Sequence, residues 1–124
     1  MQTDTGITGI VQVALTVHDL DRATAFYRDT LGLRHLFSSN GMSFFDCGGV
    51  RLMLGLAEPG RPDHFSSIVY LRAPQIEQMA ERLQARQVHF EQPLGMVAKL
   101  PHCEVWMALF RDSEGNLLGL MCER

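Results

Sequence analysis

The spacing of apolar residues in the first half of the chain predicts one helix among four strands. Residues 10–17 form an apolar run rich in β-branched side chains, which is typical of a strand. A helix is predicted after Asp19, a suitable N-cap, because apolar side chains then recur on one face as far as Gly32. Shorter apolar runs separated by glycine turns predict further strands at residues 34–39, 42–46 and 50–54.

The second half repeats this order after a hinge-like loop at residues 57–65, which contains two prolines and a glycine. A strand is predicted at residues 67–72. The next apolar residues fall at helical spacing and predict an amphipathic helix that contains Ile76, Met79, Ala80 and Leu83. Residues 92–102, with two prolines and a glycine, are predicted to be mostly loop. The remaining strands are predicted at residues 88–91, 105–111 and 117–122.

An internal repeat relates the two halves. The first strands align with Gln12 over Ile68, and the last strands align with Met53 over Gly119. We therefore predict an α+β fold in a single domain, residues 1–124, built from two tandem β-α-β-β-β modules at about residues 9–56 and about residues 66–122.

Composition narrows the classes of function. The chain has 124 residues, of which 46% are apolar and 20% charged, and this balance excludes a disordered or membrane-spanning protein. A net charge of -3 without a basic cluster argues against a nucleic-acid partner. The three cysteines form no C-x-x-C motif, and the polar first nine residues are not expected to be a signal peptide. We expect a cytoplasmic protein with free thiols and no membrane partner.

Two segments carry a resemblance to a known family. They are VALTVHDLDRATAFYRDTLGL, from Val13 to Leu33, and FRDSEGNLLGL, from Phe110 to Leu120. With the duplicated module, they resemble the vicinal oxygen chelate superfamily, which includes glyoxalase I, bleomycin-resistance proteins, dioxygenases, fosfomycin-modifying enzymes and epimerases. The resemblance implies a curved, mostly antiparallel mixed sheet with two outer helices, enclosing a cavity. That cavity lies within one chain or is shared across a homodimer, and a homodimer is expected.

The resemblance also implies where a metal would bind. Metal-dependent members place four donor side chains in the cavity, at positions that correspond here to Gln12, Met53, Ile68 and Gly119. A divalent metal needs several nitrogen or oxygen donors, and only Gln12 supplies one. We therefore expect no metal and no other cofactor at these positions, and we expect the same four residues to contact an organic ligand.

Other candidate site residues follow from strand alternation and from loops. Tyr70 and Arg72 share a strand face with Ile68, so they are predicted to orient the ligand, and Trp106 follows a loop that could cover the cavity. The alternatives are that Gln12 is a polar group satisfied by its neighbours and that Arg72 is an ordinary surface arginine. If a reaction occurs, the candidate acids and bases are Tyr70, His102 and Glu104.

Three functions remain open at this point. The first is a metal-free cavity that binds or acts on a small organic ligand, and it accounts best for the missing metal donors. The second is a metal-dependent lyase, isomerase or dioxygenase with a shifted ligand set. That set would combine Gln12 with residues such as His18, His64, His102, Glu104 or Asp46. The third is a non-catalytic interaction module with a filled cavity.

Overall fold

A computed structural model describes Gly6, residues 10–57 and residues 67–124 of the chain. The predicted hinge loop lies outside the described residues except for Ala57, and so does His64. The N-terminal residues examined for a signal peptide also lie outside them, except for Gly6.

The predicted order of elements is confirmed, and each half of the chain forms a strand, a helix and three further strands. In the first half, the helix continues into a π-helical segment, Phe26–Thr30. The bounds are β1 Gln12–Val17, α1 Leu20–Ala25, β2 Arg34–Ser39, β3 Met42–Cys47, β4 Val50–Leu56, β5 Val69–Arg72, α2 Ile76–Ala85, β6 Phe90–Lys99, β7 Glu104–Arg111 and β8 Leu117–Glu123.

The strands form two four-stranded mixed sheets, which confirms the predicted α+β fold. The first sheet has the order β1-β4-β3-β2, and the second has the order β5-β8-β7-β6. In each sheet the first-named pair of strands is parallel and the others are antiparallel. Ala14 pairs with Met53 in the first sheet, and Tyr70 pairs with Gly119 in the second. These are the equivalent positions that the internal repeat predicts.

One face of each sheet packs on the helices, and the other face is left open. Along β1, Leu15 and Val17 are buried while Gln12 and Ala14 are exposed, because successive side chains point to opposite faces. Helix α1 begins where the Asp19 side chain accepts a hydrogen bond from the Arg22 amide, 3.0 Å away. Side chains from both helices and both sheets form one continuous core, so the modules fold against each other.

The prediction that residues 92–102 are mostly loop is wrong for residues 92–99. Strand β6 runs through them, and its pairing with β7 shifts register three times. The sequence pattern hides this strand because Pro93 and Gly95 interrupt it. An edge strand tolerates both residues at bulges, where a ladder hydrogen bond is not needed. The strands predicted to start at residues 10 and 67 begin slightly later, at Gln12 and Val69.

Within the described part of the chain, no helix is both long and apolar enough to cross a membrane.

Candidate functional site

The open face of the first sheet carries a polar cluster where its edge strand β1 begins. The Gln12 Oε1 atom accepts a hydrogen bond from Arg51 Nε at 2.7 Å. The Gln12 amide nitrogen lies 3.7 Å from the sulfur of Met53. The neighbouring strands β1 and β4 bring these side chains together, because Gln12 and Arg51 are register partners and Met53 follows Arg51 by two residues on the same face.

An aromatic surface adjoins this cluster on the same face. The Arg51 guanidinium lies 5.7 Å from the centre of the Phe44 ring, and Phe44 stacks on Phe37 at 4.6 Å between centroids. The Phe37 side chain is 51% exposed, although large aromatic side chains are usually more deeply buried. The face thus offers a flat apolar platform beside an amide and a guanidinium, a combination suited to an aromatic or amide-bearing organic molecule.

On the open face of the second sheet, Tyr70 lies across the backbone of Gly119. A Cβ atom at Gly119 would fall 2.5 Å and 2.8 Å from two atoms of the Tyr70 ring, and 3.2 Å from Leu109. The ring therefore occupies the space that any side chain at position 119 would need. Tyr70 itself remains 43% exposed, so its ring and hydroxyl are accessible to a ligand.

The residues at the four metal positions do not fit a divalent ion. Ile68 and Gly119 have no side-chain donor, and Met53 offers a soft thioether. The one amide oxygen, on Gln12, already accepts the hydrogen bond from Arg51. Across the described residues, no group of three His, Cys, Asp or Glu side chains stands close enough to hold a metal elsewhere. His64 lies outside the described residues.

The predicted ligand-binding residues fall into two sets. Gln12 and Met53 form one set on the first sheet, whereas Tyr70 and Gly119 lie together on the second. Arg72 accompanies Tyr70, because both line cavities of about 230 Å³ and about 620 Å³ on either side of β5. Neither Gln12 nor Met53 is among the described residues that line these two cavities. Ile68 is half-buried just before β5.

Trp106 and two candidate acid–base residues lie apart from Tyr70. Trp106 is the register partner of the buried Cys122, so it points to the helix-covered face of the second sheet. Its indole nitrogen donates to Glu104 Oε1 at 2.9 Å, and the Arg124 guanidinium lies 4.8 Å from its ring centre. His102 is exposed in the short loop before β7. Among the described residues, neither His102 nor Glu104 hydrogen-bonds to Tyr70.

The sequence analysis overlooked Arg51 and Phe44. A signal for Arg51 was available: it precedes Met53 by two residues in a strand, so alternation places both on one face. Phe44 could be found only from the antiparallel register of β3 and β4, which pairs it with Met53. That register depends on the exact position of the turn at Gly48 and Gly49. The sequence alone does not determine this position to within one residue.

Two buried carboxylates of the second module form hydrogen bonds with the helical part of the first module. The Glu114 carboxylate, inaccessible to solvent, accepts from the His18 and Asp19 amides at 2.8 and 2.9 Å and from Arg22 Nε at 2.7 Å. Burial raises the pKa of Glu114, but these hydrogen bonds outweigh it and lower the pKa to about 2. Asp112 accepts a 2.6 Å hydrogen bond from the buried Tyr27 hydroxyl. The start of α1 and the π-helical segment that follows it are thereby fixed to the β7–β8 turn.

The fold described above, together with comparison to known protein families, defines the family of this chain. The profile of the Glyoxalase/Bleomycin resistance protein/Dioxygenase superfamily matches residues 9–120, so the chain belongs to that superfamily. A search of curated proteins found no match.

Solved structures have the same fold over nearly the whole chain. A lactoylglutathione lyase from Agrobacterium tumefaciens is 25% identical, with a TM-score of 0.73 and 93% of each chain covered. A superfamily member from Sphaerobacter thermophilus DSM 20745 is also 25% identical, with a TM-score of 0.75, covering 95% of this chain and 99% of that one. TioX from Micromonospora sp. ML1 is 21% identical, with a TM-score of 0.76 over 94% of this chain and 100% of its own.

Proposed function

We propose that this protein binds a small organic ligand on the open faces of its sheets without a metal ion. The observation that carries the proposal is the arrangement of side chains at the positions where the family resemblance implies metal donors. The Gln12 amide is held by Arg51 beside an exposed aromatic surface, and the Tyr70 ring covers Gly119. Such a face favours a planar molecule that carries an amide or carbonyl group, because it combines stacking surface with oriented polar groups.

We further propose that the site is completed by a second copy of the chain, in which the first sheet faces the second sheet of the partner. Each open face bears exposed apolar side chains, which a soluble monomer rarely groups together. The faces also offer one pair of opposite charges, since Arg51 lies on the first and Glu123 lies with Met121 and Arg72 near Tyr70 on the second. The exposed apolar side chains include Phe37 on the first face and Tyr70 on the second.

Sedimentation velocity tests this assembly. The wild-type protein should sediment as a dimer, and Arg51→Glu should weaken the dimer by placing two acidic side chains together. Combining Arg51→Glu with Glu123→Arg should restore it. A monomer at micromolar concentration for the wild-type chain would contradict the assembly.

Ligand binding is tested with a neutral planar amide, 2-naphthamide, by ligand-observed NMR. We expect saturable binding to the wild-type protein, and Gln12→Ala should weaken it about fivefold by removing one hydrogen bond and releasing Arg51. The matched control is Gln84→Ala, an exposed glutamine on α2, which should bind as the wild type does. Equal affinity of the Gln12 and Gln84 variants, or no binding at all, would count against the proposed face.

One observation favours a second candidate, a metal-dependent lyase. A neighbour with 25% identity is named a lactoylglutathione lyase. For this chain, that activity would need donors from outside the family positions in addition to Gln12. Lactoylglutathione formation that requires added Zn²⁺ or Ni²⁺ and is lost in Gln12→Ala would support this candidate.

A further inference from the structure

A cleft runs between the two modules, mainly on the helix side of the sheets, and Tyr70 and Arg72 border its larger part from β5. It consists of a cavity of about 410 Å³ beside α2 and a cavity of about 620 Å³ beside the β3–β4 turn. Leu33, Leu71 and Arg72 line both cavities, so the two adjoin. We call the pair the junction cleft. Each part has the volume typical of a site for a small organic molecule.

The cleft has an apolar floor made of side chains that point towards the core. Leu52 and Val13 come from the first sheet, and Leu71 and Leu120 come from the second. Leu52 and Leu120 are almost fully buried, and Val13 and Leu71 pack against the same core. Along β1, Val13 faces away from Gln12, so the cleft is separate from the proposed face around Gln12.

Three arginines line this apolar cleft without a protein partner. In the described part of the chain, the side chains of Arg34, Arg72 and Arg82 make no hydrogen bond and no ion pair. The one acidic residue in the lining is Asp46, and its carboxylate accepts a hydrogen bond from the Gly49 amide at 3.2 Å. Positive charge therefore exceeds negative charge along the cleft.

A neutral thiol adds to the apolar lining. Cys47 is half-buried beside Asp46 in the larger cavity. Burial, with a smaller contribution from Asp46, raises the pKa of the Cys47 thiol, which therefore stays protonated at neutral pH. It offers soft apolar contact rather than a competing negative charge.

We propose that the junction cleft is a second binding site, for an elongated organic anion with an apolar body and a terminal carboxylate. The apolar body lies on the leucine floor, and the carboxylate pairs with Arg82 or Arg34 at the ends of the cleft. Guanidinium groups are suited to carboxylates because they donate two parallel hydrogen bonds. The cleft shares Tyr70 with the proposed ligand-binding face, but the leucine floor, Arg34 and Arg82 do not belong to that face, so the two proposals are tested separately.

The probe is dansylaminoundecanoate, whose fluorescence reports transfer from water to an apolar site, with its methyl ester as the uncharged comparison. The acid should bind about tenfold more tightly than the ester at low salt, and the difference should shrink as salt is added. Arg82→Gln should weaken the acid about threefold to fivefold and leave the ester unchanged. Lys99→Gln, which removes an exposed positive charge on β6, should leave both unchanged.

A steric variant locates the site. Gln78 is exposed on α2 and lines the smaller cavity, so Gln78→Trp should fill it and weaken both probes at least about tenfold. Gln84→Trp is the control, since Gln84 is exposed on the same helix outside the cleft. Gln12→Ala should bind both probes normally. Three results would each overturn the proposal. They are equal effects of Gln78→Trp and Gln84→Trp, equal effects of Arg82→Gln and Lys99→Gln, and no binding by the wild type.

Discussion

The Tyr70 ring lies so close to the Gly119 backbone that a single added carbon atom would come within 2.5 Å of it. The family resemblance implies a metal donor at the position of Gly119. Here the glycine leaves space for an aromatic ring on the neighbouring strand. The missing side chain and the placement of the ring are therefore one structural feature, and it presents an aromatic surface at this position.

The first prediction concerns this pair. Gly119→Ala should destabilise the protein by about 1–2 kcal/mol, because the Tyr70 ring must move away from its position over the strand. In a Tyr70→Ala background the same substitution should cost much less, since only the contact with Leu109 remains tight. Urea unfolding of the four proteins in this double-mutant cycle measures the coupling. Additive effects would mean that the ring does not depend on the glycine.

The sequence predicted the fold well because the fold depends on short-range patterns. Alternating β1 residues, the helix stripe ending at Leu83 and the duplicated module each follow from local periodicity. Strand β6 was missed because Pro93 and Gly95 are ordinary turn residues, and only its place at a sheet edge lets them stay in a strand.

The site was less accessible to sequence analysis. The membership of Gln12 and Gly119 in it followed from the family resemblance, whereas the contact of Gln12 with Arg51 depends on cross-strand register. For Trp106, nearness to a loop in the sequence suggested a ligand contact. The direction of its side chain depends instead on alternation along β7, which places it on the helix-covered face with Ala108 and Phe110.

The second prediction concerns Glu114 and pH. Its folded pKa of about 2 lies below the ordinary value of 4.5, so the ionised carboxylate stabilises the fold above about pH 4.5. This contribution, about 3 kcal/mol, should disappear as the pH falls towards 2. Glu114→Gln should therefore lower the free energy of unfolding by about 2–3 kcal/mol at pH 7 and by clearly less at pH 3. Urea unfolding at the two pH values measures the difference.

The control for this prediction is Glu81→Gln, an exposed carboxylate on α2. It should change stability by less than about 0.5 kcal/mol at either pH. If the cost of Glu114→Gln were the same at pH 3 as at pH 7, the pKa of the Glu114 carboxylate would not be lowered by Arg22 and the amides of His18 and Asp19.

The third prediction compares the two tyrosines of the chain. Tyr27→Phe removes the buried hydroxyl that donates to Asp112 at 2.6 Å, and the cost should be about 1.5–3 kcal/mol because a buried carboxylate loses a donor. Tyr70→Phe removes a hydroxyl from a side chain that is 43% exposed, and it should cost less than about 0.5 kcal/mol. Thermal unfolding of both variants ranks them, and equal costs would contradict the role of the Tyr27–Asp112 hydrogen bond.

The central claim is that this member of the superfamily holds its ligand without a metal ion. Elemental analysis of untagged protein, purified without chelators, measures the divalent metal content directly. We predict less than about a tenth of an ion per chain, since a bound ion needs several deprotonated or oxygen donors. The site around Gln12, Met53, Ile68 and Gly119 does not supply them. About one ion per chain would contradict the claim and direct attention to the second candidate function.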